Sequence, residues 1–204
     1  MEEMNINPKQ KEFFNEHAAQ WDSISVHDLQ KVRRIVSLLE LSGHERILDV
    51  GTGTGIMIPF YEENLTSGSI LAVDYSENMI KQAMMKYPES THNRVKYKVV
   101  DIYDMGMDEK FDDVVCYSCF PHFPYQERAI HILAGHLEKD GKLMIAHSSS
   151  KKHINEVHKT GGEVISNDFL PKIEDLKDMM INAGLEPIFE QDDEAYYIII
   201  GKKY

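Results

Sequence analysis

The stretch CYSCFPHF at residues 116–123 places two thiols (Cys116, Cys119), one imidazole (His122) and three rings (Tyr117, Phe120, Phe123) in eight positions. Neutral imidazole and thiolate bind zinc and other transition metals, imidazole also takes protons near neutral pH, and clustered rings can floor a pocket. His147, His153 and His158 follow downstream. A second pattern lies upstream, where Asp49 precedes Gly51, Thr52, Gly53 and Gly55 in DVGTGTG, with Asp74 and Asp101 beyond it. Such glycines let backbone approach a ligand where side chains would collide, and a downstream acid can accept hydrogen bonds from ribose hydroxyls. The pattern suits a nucleoside cofactor, NAD included.

The elements that must position these residues follow from the whole chain. With 204 residues, 42% apolar and 27% charged, one soluble domain over 1–204 is expected, and no apolar run is long enough for a membrane span. The N-terminus MEEMNINPKQKEFF lacks a basic region leading into an apolar one, so a cytoplasmic protein without membrane attachment is expected. A balance of 34 acidic against 22 basic residues, net −12, repels phosphate backbones and argues against a nucleic-acid partner. The acidic surface leaves room for a homodimer.

Helical spacing covers 8–21 and 27–41, forming an N-terminal helical lead over 1–41. Strands are predicted at ERILDV before Gly51, at 69–76, 95–102, 112–118 and 141–148, alternating with helices after Gly55, over 77–86, near 125–137 and near 173–183. Such alternation builds a parallel sheet with helices on both faces. The last two strands, 185–191 and 194–202, are joined by too few residues for a crossover, so the final strand runs antiparallel. On the fourth strand, Cys116 and Cys119 lie three apart, roughly 10 Å if extended, and point to opposite faces. Neither a disulfide nor a two-cysteine zinc knuckle is expected.

In order along the chain, ILDVGTGTG (47–55), LAVDYSENMI (71–80), Asp101 in VVDI, the loop CYSCFPHF and LEKDGKLMIAHS (137–148) resemble the motifs of the class I S-adenosylmethionine-dependent methyltransferases of small molecules. The resemblance implies a Rossmann-like α/β fold with a doubly wound seven-stranded sheet of order 3-2-1-4-5-7-6. It implies that Asp49 and Gly51, Thr52, Gly53 and Gly55 meet the methionine end of S-adenosylmethionine, with Cys119 nearby. Asp74 would hold the ribose, Tyr75 or Met79 would stack on adenine, Asp101 with Ile102 would read its edge, and Trp21 would cover the cofactor.

On that fold His122 lies beside the switch point between strands 1 and 4, and His147 closes strand 5. A short helix after Ser148–Ser150 brings His153 and His158 to the same rim, His158 being preferred. Three readings stay open: His122, His147 and His158 ligate a divalent transition metal; His122 and His147 act as base and orienting donor; or both line the pocket. The other histidines, His27 and His136 among them, are expected on the surface or at helix caps. Residues 148–172 are expected to form a lid that selects a small-molecule acceptor. An S-adenosylmethionine- and metal-binding sensor and an NAD-dependent oxidoreductase are the rival readings.

Overall fold

A computed structural model describes residues 8–106 and 108–204, so the first seven residues of the expected helical lead lie outside the described residues. The lead begins with α1 (Pro8–His17), tightens into a 3-10 turn at Ala18–Gln20 and ends in the short α2 (Trp21–Ile24), where one helix over 8–21 was expected. The break turns Asp22 toward the body, where its carboxylate accepts the Thr54 hydroxyl at 2.6 Å and pairs with Lys86. Helix α3 (Leu29–Ser37) starts where the Asp28 carboxylate accepts the backbone N–H groups of Gln30 and Lys31. Its Val32, Ile35 and Val36, one turn apart, are buried against the sheet.

Seven strands follow: β1 (Arg46–Val50), β2 (Ser69–Asp74), β3 (Val95–Val99), β4 (Phe111–Tyr117), β5 (Leu137–His147), β6 (Leu185–Asp192) and β7 (Tyr197–Lys203). They form one sheet in the order β3-β2-β1-β4-β5-β7-β6, with β7 antiparallel to both its neighbours and the other pairings parallel. Helices α4 (Ile58–Glu62), α5 (Glu77–Lys86), α6 (Gln126–Gly135), α7 (Lys151–Thr160) and α8 (Ile173–Asn182) complete the chain. The central strands are buried on both faces, as sheets covered on two sides require, and each face carries its own apolar cluster. Strand β5 begins earlier than expected, because Asp140 (φ 64°) and the side-chain-free Gly141 carry the chain across an irregularity opposite Phe111 and Asp113.

Register fixes where chemistry can happen. Val50 pairs with Val73 on one side and Cys116 on the other, so the glycine turn, Asp74 and the loop after β4 leave the sheet from one row. Strand order reverses there, between β1 and β4, where doubly wound sheets open a crevice.

The two cysteines correct an expectation. Strand alternation puts them on opposite faces, yet both belong to one apolar cluster and their thiols interact. Ser118, with φ 57°, ends the extended run and folds Cys119 back, and the Cys119 thiol donates to the Val50 carbonyl at 3.1 Å. Both cysteines are free and buried.

Candidate functional site

A cavity of about 420 Å³ opens at the carboxyl ends of β1, β2 and β4. Its floor is the turn after β1. Gly51 (φ 64°) and Gly53 (φ 56°) adopt left-handed conformations, and a Cβ at Gly51 would stand 2.6 Å from the Cys119 Cβ. Asp49 lies behind this turn, not on the cavity wall: one carboxylate oxygen accepts the Thr52 hydroxyl at 2.6 Å, the other the Tyr61 hydroxyl at 3.1 Å. Its geometry is that of a residue holding the turn's shape, which departs from the contact with methionine that the resemblance implied. Burial raises its carboxyl to about 6. Gly55 is likewise not on the cavity wall; a Cβ there would crowd Ile58 and the wall residue Tyr87.

Asp74, 7% exposed at the end of β2, accepts the N–H of Gly53 at 3.0 Å and of Ser76 at 2.9 Å. Burial raises its carboxyl to about 6, opposed by those two N–H groups and by nearby His122. Further round the wall stand Asp101 and Ile102; Asp101 starts a 3-10 turn by accepting the Tyr103 N–H at 3.0 Å, and burial raises its carboxyl. Tyr75, Met79, Trp21 and Phe14 close this end with rings edge-on, Phe14 lying 5.3 Å from Trp21 and 6.0 Å from Tyr75. The buried acid, the glycine turn, a half-buried second acid and an aromatic roof fit the nucleoside and amino-acid parts of S-adenosylmethionine.

The other end is walled by Ser25, Val26, His27 and Leu29 on one side and by Tyr117, Ser118, Cys119, His122 and Phe123 on the other. His27, expected on the surface, is a wall residue. Its Nδ1 lies 2.8 Å from the Tyr117 hydroxyl and its Nε2 3.1 Å from the Ser25 hydroxyl, and burial lowers its pKa. The Tyr117 hydroxyl also meets the Ser148 hydroxyl at 2.8 Å, and burial raises it to about 12. Within CYSCFPHF, Cys116 and Phe120 are core, while Tyr117, Cys119, His122 and Phe123 face the cavity. His136, also expected outside, is buried with Nδ1 3.0 Å from the Glu109 carbonyl.

His122 sits in a dense polar knot. Its Nδ1 is 2.7 Å from Asp168 Oδ2, the same oxygen accepts the Gln10 amide at 2.7 Å, and Phe14 stands edge-on at 4.9 Å. The ring of His158 lies 4.9 Å away with its own Nδ1 2.6 Å from the Asp168 carbonyl; His153 is exposed. His147 ends β5 at 2% exposure, behind the cavity wall. Burial, then the neighbouring imidazoles, lowers it to about 3, and its Nε2 has no partner. These positions correct the metal expectation. Among the described residues no group of three or more His, Cys, Asp or Glu is placed to hold a metal ion, so the structure gives the metal-ligand reading of His122, His147 and His158 no support.

The expected lid is corrected as well. None of residues 148–172 is on the cavity wall; the segment reaches the wall residues through Ser148, His158 and Asp168, and the N-terminal stretch from Trp21 to Leu29 lies on the wall instead. Gln10, Phe14 and Asp168 had no local signature, lying 112, 108 and 46 residues from His122 in sequence. His27 could have been suspected from its place six residues after Trp21.

Residues 48–145 match a family model described as a methyltransferase domain. A malonyl-[acyl-carrier protein] O-methyltransferase of Acetivibrio thermocellus is 26% identical over 132 residues, 64% of this chain and 46% of that protein. A phosphatidylethanolamine N-methyltransferase of Cereibacter sphaeroides is 30% identical over 102 residues, 49% of each chain. The crystal structure of magnesium protoporphyrin IX methyltransferase from Synechocystis PCC 6803 with bound SAH shares the fold, with TM-score 0.71 and 19% identity over 96% of this chain and 100% of that one. The chain spans about half the length of the curated relatives it matches. Among the described residues no helix is long and apolar enough to cross a membrane.

Proposed function

We propose, from the methyltransferase-domain match over residues 48–145 and the cavity described above, that the chain is a class I S-adenosylmethionine-dependent methyltransferase that transfers the cofactor's methyl group to a small-molecule acceptor. The observation that carries the reading is Asp74, a buried carboxylate at the end of β2 locked to the Gly53 N–H of the turn beneath the cavity. S-adenosylmethionine supplies an activated methyl group on a sulfonium. Asp74 would accept the ribose hydroxyls, Asp101 and Ile102 would meet the adenine edge, Tyr75 and Met79 would pack on its face, and Trp21 would cover it. Gly51, Thr52, Gly53 and Cys119 would line the methionine end, with Asp49 and Gly55 shaping the turn from behind.

The acceptor would enter beside His27, Tyr117, His122 and Phe123. Methyl transfer needs in-line positioning, exclusion of water and a proton acceptor when the nucleophile carries a proton. His122 would take that proton, and His147, held neutral by burial, would support it from behind. The cavity's volume of about 420 Å³ supports a small acceptor over a folded protein. The named relatives act on different compounds, so they do not choose among acceptors. Calorimetric titration with S-adenosylhomocysteine and with NAD tests the reading: one-site binding of S-adenosylhomocysteine without NAD binding is expected, and binding of NAD alone would overturn it.

A further inference from the structure

The knot around His122 contains a residue to which no role has been given. We propose that Asp168 is the positioning residue that makes His122 a proton acceptor, and therefore that the methylated atom of the acceptor is a hydroxyl oxygen or amine nitrogen that arrives bearing a proton. This rests on the methyltransferase reading above.

Asp168 Oδ2 accepts the Gln10 amide at 2.7 Å and lies 2.7 Å from His122 Nδ1. An ionised carboxylate can only accept, so Nδ1 carries the hydrogen and the lone pair of the neutral ring is on Nε2. His122 lines the cavity, so that basic ring belongs to the wall the acceptor would meet. An imidazole oriented by a carboxylate on its far nitrogen is the arrangement that holds one tautomer and stabilises the imidazolium once formed.

The supports of Asp168 show that its place is built. Gln10, 4% exposed on α1, donates to Asp168 and accepts from the Tyr75 hydroxyl at 3.4 Å, next to the ribose acid Asp74. His158 on α7 holds the Asp168 carbonyl at 2.6 Å. Asn155 pins Leu170, two residues further on, twice, accepting its N–H at 2.8 Å and donating to its carbonyl at 3.1 Å. Gln10 of α1 and His122 after β4 thus meet on one carboxylate, whose backbone is held from α7, and this ties α1 and the segment after α7 to the base.

The step balances. The acceptor's lone pair forms the new bond to carbon as the carbon–sulfur bond breaks with its electrons going to sulfur, leaving S-adenosylhomocysteine. The acceptor's proton passes to His122 Nε2, and the resulting imidazolium faces the Asp168 carboxylate until solvent takes the proton. A carboxylate acceptor has no proton to give at neutral pH and would make the pair idle.

The test uses the full chain saturated with S-adenosylhomocysteine. Imidazole ¹⁵N spectra should show His122 as the Nδ1–H tautomer, and Asp168→Asn should shift it toward a mixture; an Nε2–H tautomer in the wild type overturns the proposal. With labelled S-adenosylmethionine and a panel of phenols, primary amines and carboxylic acids, transfer to phenols or amines is expected. Asp168→Asn and His122→Gln should each lower kcat on the order of 100-fold, with KM and S-adenosylhomocysteine affinity within about twofold and the double variant no worse than either. Transfer only to carboxylic acids, or full turnover in Asp168→Asn, overturns it. Failure to bind S-adenosylhomocysteine would sink the methyltransferase reading instead, and if no panel member is methylated the tautomer still decides.

Discussion

The two ends of the cavity are built by different means. At the cofactor end, positions follow from strand register and a turn: Val50 pairs with Val73, the chain reverses at Gly51, and Asp74 receives the Gly53 N–H. At the acceptor end, positions follow from side chains meeting across the fold: His27 with Tyr117, Tyr117 with Ser148, and His122 with Asp168 and, through it, Gln10. Strand register and the glycine turn therefore set the floor of the first end. Side-chain hydrogen bonds let the second be rewritten by single substitutions.

That contrast can be broken by experiment. The largest effect is expected from Gly51→Val, which puts a branched side chain at φ 64° and a Cβ 2.6 Å from Cys119. Calorimetry should show S-adenosylhomocysteine binding lost, with the thermal midpoint also lowered; binding within tenfold of wild type would refute the idea that backbone shape governs this end. Next, Asp74→Ala should weaken S-adenosylhomocysteine binding by about 1–3 kcal/mol. Because burial raises Asp74 to about 6 and ribose hydroxyls favour its ionised form, wild-type affinity should fall as pH drops through that value. In Asp74→Asn the same titrations should be flat between pH 5 and 7.5.

His147 carries a prediction of comparable size but for stability. Its folded pKa of about 3 lies below the unfolded value of 6.5, so the unfolded state binds the extra proton and stability falls as pH drops below 6.5. At pH 5 this contributes a loss of about 2 kcal/mol, at 1.36 kcal/mol per pH unit. Denaturant melts of wild type and His147→Phe should converge at low pH relative to their difference at pH 7.5; parallel curves would remove His147 as the source. The smallest effect is Tyr117→Phe, which deletes the hydroxyl shared by His27 and Ser148 and should cost about 1 kcal/mol while sparing S-adenosylhomocysteine affinity. A tenfold loss of that affinity would show the two ends to be coupled.

The same contrast explains what could be read in advance. Helix α5 over Glu77–Lys86 and a serine cap within 148–150 for α7 are legible because each rests on spacing within a few residues, whereas the strand order is legible through the ordered motifs of the resemblance. Asp74, Tyr75, Met79, Asp101 and Ile102 reach the cavity wall for the same reason, being carried there by strand ends. Gln10 and Asp168 reach the site through partners more than forty residues away in sequence, and His27 through Tyr117, so the assembled fold is what brings them together. Cys119 shows the limit of local rules at close range, since one residue in a left-handed conformation, Ser118, cancels the alternation that strand geometry predicts.

That kink has a chemical consequence. It tucks Cys119 against the sheet with its sulfur bonded to a carbonyl and its thiol pushed well above the usual range by Cys116 and burial. Thiolate, not thiol, attacks oxidants and alkylating reagents. The protein therefore carries sulfur on the wall of its own cavity in a form that peroxide and maleimides meet only when the end of β4 opens, so the rate of Cys119 labelling is a clock for local opening at that point, slowed whenever the cavity is filled.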